Sequence, residues 1–150
     1  MKISVKGLDR VLSKLNQVEQ AVDNGSKIGL KKAAFLMERE AKQTVAVDTG
    51  RTKASISTVF ENGGYSAHVA PHTYWSRYLE YGTGKYNVKG PFRITGWSYY
   101  VSDARSKWYG RHWTDGMKPK PFMKDAYENK KEAAKKIIKD EIKKSINSVK

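Results

Sequence analysis

Asp48-Thr49-Gly50 is the triplet in this 150-residue chain with a catalytic precedent. Aspartic proteases use it to hold one of two carboxylates that share a proton across a symmetric cleft. A single copy per chain would require a homodimer. The flanks argue against that use. A helical pattern precedes the triplet instead of an apolar strand, Arg51 and Thr52 follow instead of Ala or Ser, and no later apolar-apolar-Gly segment could floor the cleft. A turn fits better: Asp48 or Thr49 caps it, and Gly50 relaxes the backbone between helix and sheet. His68 and His72 have the spacing of a zinc pair on a helix. Ala70-Pro71 lies between them and opposes a helix. In extended chain, residues four apart are well separated. His112 is the third histidine and there is no cysteine, so surface or partly packed histidines are expected, not a metal site. Glu80, in Tyr78-Leu79-Glu80-Tyr81-Gly82, has no second carboxylate or nucleophile patterned with it. It is expected to be solvated or paired with an arginine of the same or a neighbouring subunit. Gly82-Thr83-Gly84-Lys85 lacks the earlier glycine of a phosphate-binding loop, and Tyr86 replaces its Ser/Thr. No catalysis and no cofactor are expected.

Charge is the second source of chemistry. The formal net charge is +14, which attracts polyanions: nucleic acid first, then a membrane surface or an acidic protein. Residues 118–150 carry 11 lysines against 5 acids, and residues 1–117 carry 18 bases against 10 acids, so no detachable basic tail holds the charge. Lys107-Trp108-Tyr109-Gly110-Arg111-His112-Trp113 interleaves aromatics with bases. Such a string can stack on unpaired nucleobases while holding phosphates. It equally describes a strand with one buried face, which is the favoured expectation. Lys85, Lys89, Arg93, Lys107 and Arg111 are the candidates for facing DNA or a partner. No apolar run approaches the roughly 18 residues that span a bilayer, and Met1–Arg10 has no signal-peptide core. A soluble protein of a reducing cytosol, without membrane contact, is expected.

The elements that must position these groups fall into three regions. Leu8, Val11, Leu12, Leu15, Val18 and Val22 recur at helical spacing. Asp23-Asn24-Gly25-Ser26 interrupts that pattern and offers caps, so residues 8–45 predict two helices or one broken helix. Of 17 aromatic residues, 16 lie between Phe60 and Tyr127, with 8 of the 12 glycines among them, which favours strands and turns. Strands are predicted near Ser55–Phe60, Tyr65–Ala70, Arg77–Tyr81, Gly96–Val101 and Lys107–Trp113. Asn62-Gly63-Gly64 and residues 102–106 are the predicted hairpin connections. Pro121 opens a helix to about Asn147, apolar at Met123, Ala126, Tyr127, Ala133, Ala134, Ile137, Ile138, Ile142 and Ile146 and lysine-rich opposite. The expectation is a single α+β domain over residues 1–150: N-terminal helices, an antiparallel aromatic-rich sheet of about five strands, and a C-terminal amphipathic helix. Residues 83–95 keep no period and read as a long loop. Its apolar Tyr86, Val88, Phe92 and Ile94 are candidates for an assembly contact.

Three phrases fall in a telling order: Val47-Asp48-Thr49-Gly50-Arg51-Thr52-Lys53-Ala54-Ser55-Ile56, Tyr78-Leu79-Glu80-Tyr81-Gly82-Thr83, and Pro119-Lys120-Pro121-Phe122-Met123-Lys124-Asp125-Ala126. Together, from about Ile28 to Ile146, they resemble the head–tail connector family of tailed phages, also called the minor tail-component or tail-completion family. Ala46 stands where that family often has Pro, and Thr52 where it usually has Leu. The resemblance implies structural roles for Asp48, Thr49, Gly50, Ser55, Glu80, Gly82, Thr83, Pro121, Phe122 and Ala126. It also implies a virion protein that assembles in the host cytoplasm into a ring of identical subunits in the neck, against portal-side and tail proteins and around the DNA channel. A basic nucleic-acid-binding module is the alternative.

Overall fold

The computed structural model describes residues 7–89 and 95–149. Its elements are α1 (Leu8–Thr44), α2 (Arg51–Ser55), β1 (Ile56–Glu61), β2 (Ser66–Pro71), α3 (Ser76–Tyr81), β3 (Trp97–Val101), β4 (Gly110–Thr114) and α4 (Phe122–Asn147). The class is α+β, and the long helices at either end lie where the periodicity puts them. The sheet differs from expectation. Among the described residues, β1 pairs with β2 and β3 with β4, giving two antiparallel two-stranded ribbons and no five-stranded sheet.

Three further corrections concern the elements. Residues 8–44 are one unbroken helix, with Asp23–Ser26 inside it. Arg77–Tyr81, whose aromatics suggested a strand, is helical in α3: Tyr78 N–H donates to the Trp75 carbonyl, and Gly82 N–H to that of Tyr78, both at 2.9 Å. Strand preference among aromatics is weak and context-driven, and among the described residues no strand pairs with this segment. Lys107–Tyr109 precede β4 instead of forming it. Trp108 N–H donates to Ser106 Oγ at 3.1 Å and Tyr109 N–H to the Ser106 carbonyl at 3.0 Å, so Ser106 closes a turn there.

The described residues divide into two compact units. One comprises residues 7–39, 58–69 and 129–149. Its α1 and α4 segments meet through small residues. Ala21, Gly25, Gly29 and Ala33 recur every four positions on α1 and are all buried. A Cβ on Gly25 would lie 2.9 Å from the Ile142 Cα, and one on Gly29 would lie 2.9 Å from the Ile138 Cα. Both distances are well inside the roughly 3.5–4.0 Å of carbon contact. The glycine that signals a break in the sequence is therefore the place where two helix backbones touch. Ser26 turns its hydroxyl back to the Val22 carbonyl (2.7 Å) and Lys27 pairs with Asp23 (2.9 Å), so the would-be caps serve the helix interior. Lys32 and Glu141 bridge the two segments at 2.6 Å, and this hydrogen bond holds the Glu141 carboxyl below its usual range. Phe35 meets Phe60 edge-on at 5.8 Å, and the Thr58 hydroxyl donates to Glu38 at 2.6 Å.

The other unit comprises residues 40–57, 70–89 and 95–128. Its buried apolar residues are Ala41, Val45, Ile56, Phe122 and Ala126, with Ile56 and Phe122 the largest. Burying a side chain of that size contributes about 1.5–3 kcal/mol. The Thr44 hydroxyl, at the end of α1, lies 3.2 Å from the Phe122 carbonyl, which ties that end to the start of α4.

Candidate functional site

The second unit gathers the three phrases. Their joint is easiest to build from α4, because a helix start leaves backbone donors without partners. Pro121 has no N–H, and its carbonyl accepts the first helical bond, from Asp125 at 2.8 Å. Phe122 N–H donates to the Lys120 carbonyl at 2.8 Å. The next two donors, Met123 and Lys124, both bond the Glu80 carboxylate at 3.0 Å. Glu80 is thus a bidentate cap, where an arginine partner or free solvation was expected. Lys120 N–H also donates to the Leu79 carbonyl at 2.7 Å. The second phrase therefore holds the start of the third by side chain and by main chain.

The first phrase is tied in through a residue that sequence reading passed over. The Trp75 indole N–H donates to the Thr52 hydroxyl at 2.8 Å, and Thr52 is buried. A polar pair thus occupies the position of the usual leucine. Ser55 Oγ donates to the Thr52 carbonyl at 2.8 Å, and the Ser55 carbonyl accepts from His72 N–H at 3.1 Å. Residues 46–52 line a cleft of about 470 Å³ with Trp75, Leu79 and Lys120. Asp48 is the one carboxylate among the lining residues, beside the cations Arg51 and Lys120. Gly50 begins α2 with φ 79°, a left-handed conformation that favours glycine, and no side chain caps that helix. The relaxing role of Gly50 stands; the capping role expected of Asp48 or Thr49 does not. Both lie exposed, displaced from the cap position because Gly50 occupies it.

The phrase ending in Gly82 and Thr83 runs directly into a clamp on residues 115–117. Thr83 N–H donates to the Met117 carbonyl and Met117 N–H to the Thr83 hydroxyl, each at 2.9 Å. Lys85 N–H donates to the Asp115 carbonyl at 2.9 Å, and its ammonium pairs with the Asp115 carboxylate. That hydrogen bond raises the Lys85 pKa above its ordinary value, and it lowers that of Asp115 with help from the Trp113 indole N–H. Gly84 is buried here at φ 60°, where a Cβ would fall on the Asp115 carbonyl. The expected long loop therefore begins as ordered chain. Val88 N–H reaches back to the Tyr81 carbonyl at 3.0 Å, while the Val88 side chain is exposed and Tyr86 is half-buried. Phe92, Arg93 and Ile94 lie outside the described residues.

The described basic candidates each meet a different partner. Lys85 is held by Asp115, Lys89 lies over the Tyr81 ring at 5.5 Å, Lys107 over the Trp108 ring at 5.5 Å, and Arg111 faces Tyr100 across the β3–β4 ladder. That ribbon overturns the expectation of a buried aromatic face. Tyr99, Tyr100, Trp108, Tyr109 and Trp113 are exposed, Trp113 by 69%; among the described residues β3 and β4 pair only with each other, and a two-stranded ribbon by itself buries little. The histidines are not a pair: His68 Nε2 lies 3.3 Å from Glu61 and His72 Nε2 2.9 Å from Ser57. Among the described residues no cluster of three acids or histidines could hold a metal, and no helix is long and apolar enough to cross a membrane.

One comparison bears on the first two phrases. Residues 9–82 match the model of a family described as "Bacteriophage HK97-gp10, putative tail-component". This segment is HK97-gp10-like. It contains the first phrase whole and the second up to Gly82, while the third phrase and the residues that Glu80 caps lie beyond it. The family of phage tail components is consistent with the connector and tail-completion resemblance carried by the three phrases. No curated protein and no solved structure matches the chain.

The residues missed in the sequence were Trp75, Asp115 and the Gly25/Gly29 pair. Only the last left a readable signal, the four-residue spacing of Ala21, Gly25, Gly29 and Ala33.

Proposed function

We propose that this chain is a structural virion protein of a tailed phage. In this reading it forms a ring of identical subunits in the neck, joining the portal side of the head to the tail around the DNA channel. The HK97-gp10-like match of residues 9–82 carries the proposal. The motif joint supports a structural role over a catalytic one. Glu80 spends its carboxylate on two helix amides, Thr52 and Trp75 satisfy each other, and Asp48 has no second acid among the cleft residues. Large exposed aromatics and the net charge of +14 suit contacts with neighbouring virion proteins and with passing DNA. The test is gold-labelled antibody against this chain on intact particles. Label at the head–tail junction is expected; label along the tail or at its tip would remove the neck placement. Absence of the chain from purified particles would remove the virion role.

The exposed, base-flanked β3–β4 ribbon specifically favours a second reading, a nucleic-acid-binding module, since aromatics on an open surface can stack on unpaired bases. Tight DNA binding by the isolated chain, falling steeply with salt, would select it.

A further inference from the structure

Leu8, Val11, Leu15, Val18 and Val22 occupy the a and d positions of a seven-residue repeat along α1. The same register continues into Gly25 (d) and Gly29 (a), where the α4 backbone lies against α1. α4 ends at Asn147, and Ser148 and Val149 share a groove with Gln17 and Ala21. Toward the N-terminus the seam is bare. Leu8, Val11, Leu12 and Leu15 are each 50–58% exposed, and Leu12, at position e, widens the stripe. One heptad-phased seam is covered by its own chain at one end and open at the other.

The charges beside the seam say what covers it. Lys14 sits at g and Glu19 at the following e. In a parallel pair, g of one helix faces the next e of its partner, so two copies of this chain form Lys14–Glu19 contacts in both directions. An antiparallel copy would set Lys14 against Lys14. Leucine at a with a β-branched residue at d favours more than two strands, and an apolar e position gives each helix a second neighbour to pack on. We infer that the N-terminal turns of α1 associate in parallel with other copies of this chain, in a bundle of more than two helices. The inference names a self-contact for the ring proposed above and rests on that reading for its place in the particle; in a cyclic ring, equivalent helices are parallel when they run along the symmetry axis.

Light scattering and sedimentation of the full chain over a concentration series test it. The wild type should associate beyond a dimer. Leu12→Lys/Leu15→Lys should be monomeric with unchanged circular dichroism, since both positions are exposed. Lys14→Glu should weaken association about tenfold, more at low salt, through repulsion at each g–e contact. Lys14→Glu/Glu19→Lys should restore it, which a contact with a different protein would not do. Association indifferent to the leucine changes, or a double charge swap that fails to rescue, would overturn the seam and leave the neck ring standing on its labelling test. A wild type that stays monomeric throughout would overturn the seam as well.

Discussion

Glu80→Ala should loosen the joint between α3 and α4, and the structure sets the size of the effect. Two N–H groups, those of Met123 and Lys124, lose their acceptor at 3.0 Å. Losing a helix N-cap costs about 0.5–2 kcal/mol. The carboxylate also meets the positive end of the α4 dipole, worth roughly 0.3–1 kcal/mol. The sum is about 1–3 kcal/mol for Glu80→Ala. Glu80→Gln keeps one oxygen acceptor and loses the charge, so it should cost about 1 kcal/mol. At roughly 2–4 °C per kcal/mol for a chain of this size, the alanine variant should melt about 2–12 °C lower. Thermal unfolding followed at 222 nm gives that shift, and amide exchange locates it: Met123 and Lys124 should lose protection while amides near Ile138 should not. A Glu80→Ala variant within about 0.5 kcal/mol of wild type, or one with unchanged exchange at those two amides, would refute the capping role.

Two further outcomes are expected. Gly25→Ala should destabilise the chain by up to about 2 kcal/mol net in urea, because overpacking against Ile142 and Ser145 (typically ~1–3 kcal/mol) offsets the roughly 1 kcal/mol that alanine gains in a helix; a raised midpoint would show that the helices do not touch there. Asp115 should titrate below the usual carboxylate range, so the Lys85 contact contributes stability that is present above the unfolded carboxyl's pKa and is lost as pH falls through the depressed folded value. Raised Lys85 gives the mirror case, with stability lost only as pH climbs through its elevated value. Carboxyl NMR of wild type and Lys85→Ala checks this, with Asp115 returning toward its ordinary range in the variant.

Long-range closure separates what could be read from what could not. The span of α1 and the lysine-rich α4 were legible because a helix writes its buried face into the chain every three to four residues. β1 and β2 were legible because Asn62-Gly63-Gly64 is a local turn signal between two short runs. The phrases around Asp48, Glu80 and Phe122 were legible as phrases. Their physical connection was not: Glu80 and the amides it caps are 43 and 44 residues apart, and a backbone donor leaves no mark in the sequence of the residue that will satisfy it. The same holds for Gly25. A glycine breaks a helix in isolation and permits contact when a second backbone arrives, and only the arrival of α4 selects between the two. The aromatic ribbon shows the converse. Its alternation is local and was seen, but whether a strand face is buried depends on a second layer, and that layer is a property of the fold. Sequence by itself determined the outer bounds of the two long helical regions, the net charge, the turn and the motif order, all set by neighbours along the chain. Tertiary structure alone decided which polar groups meet and which apolar faces stay open, since those depend on where distant backbone comes to rest.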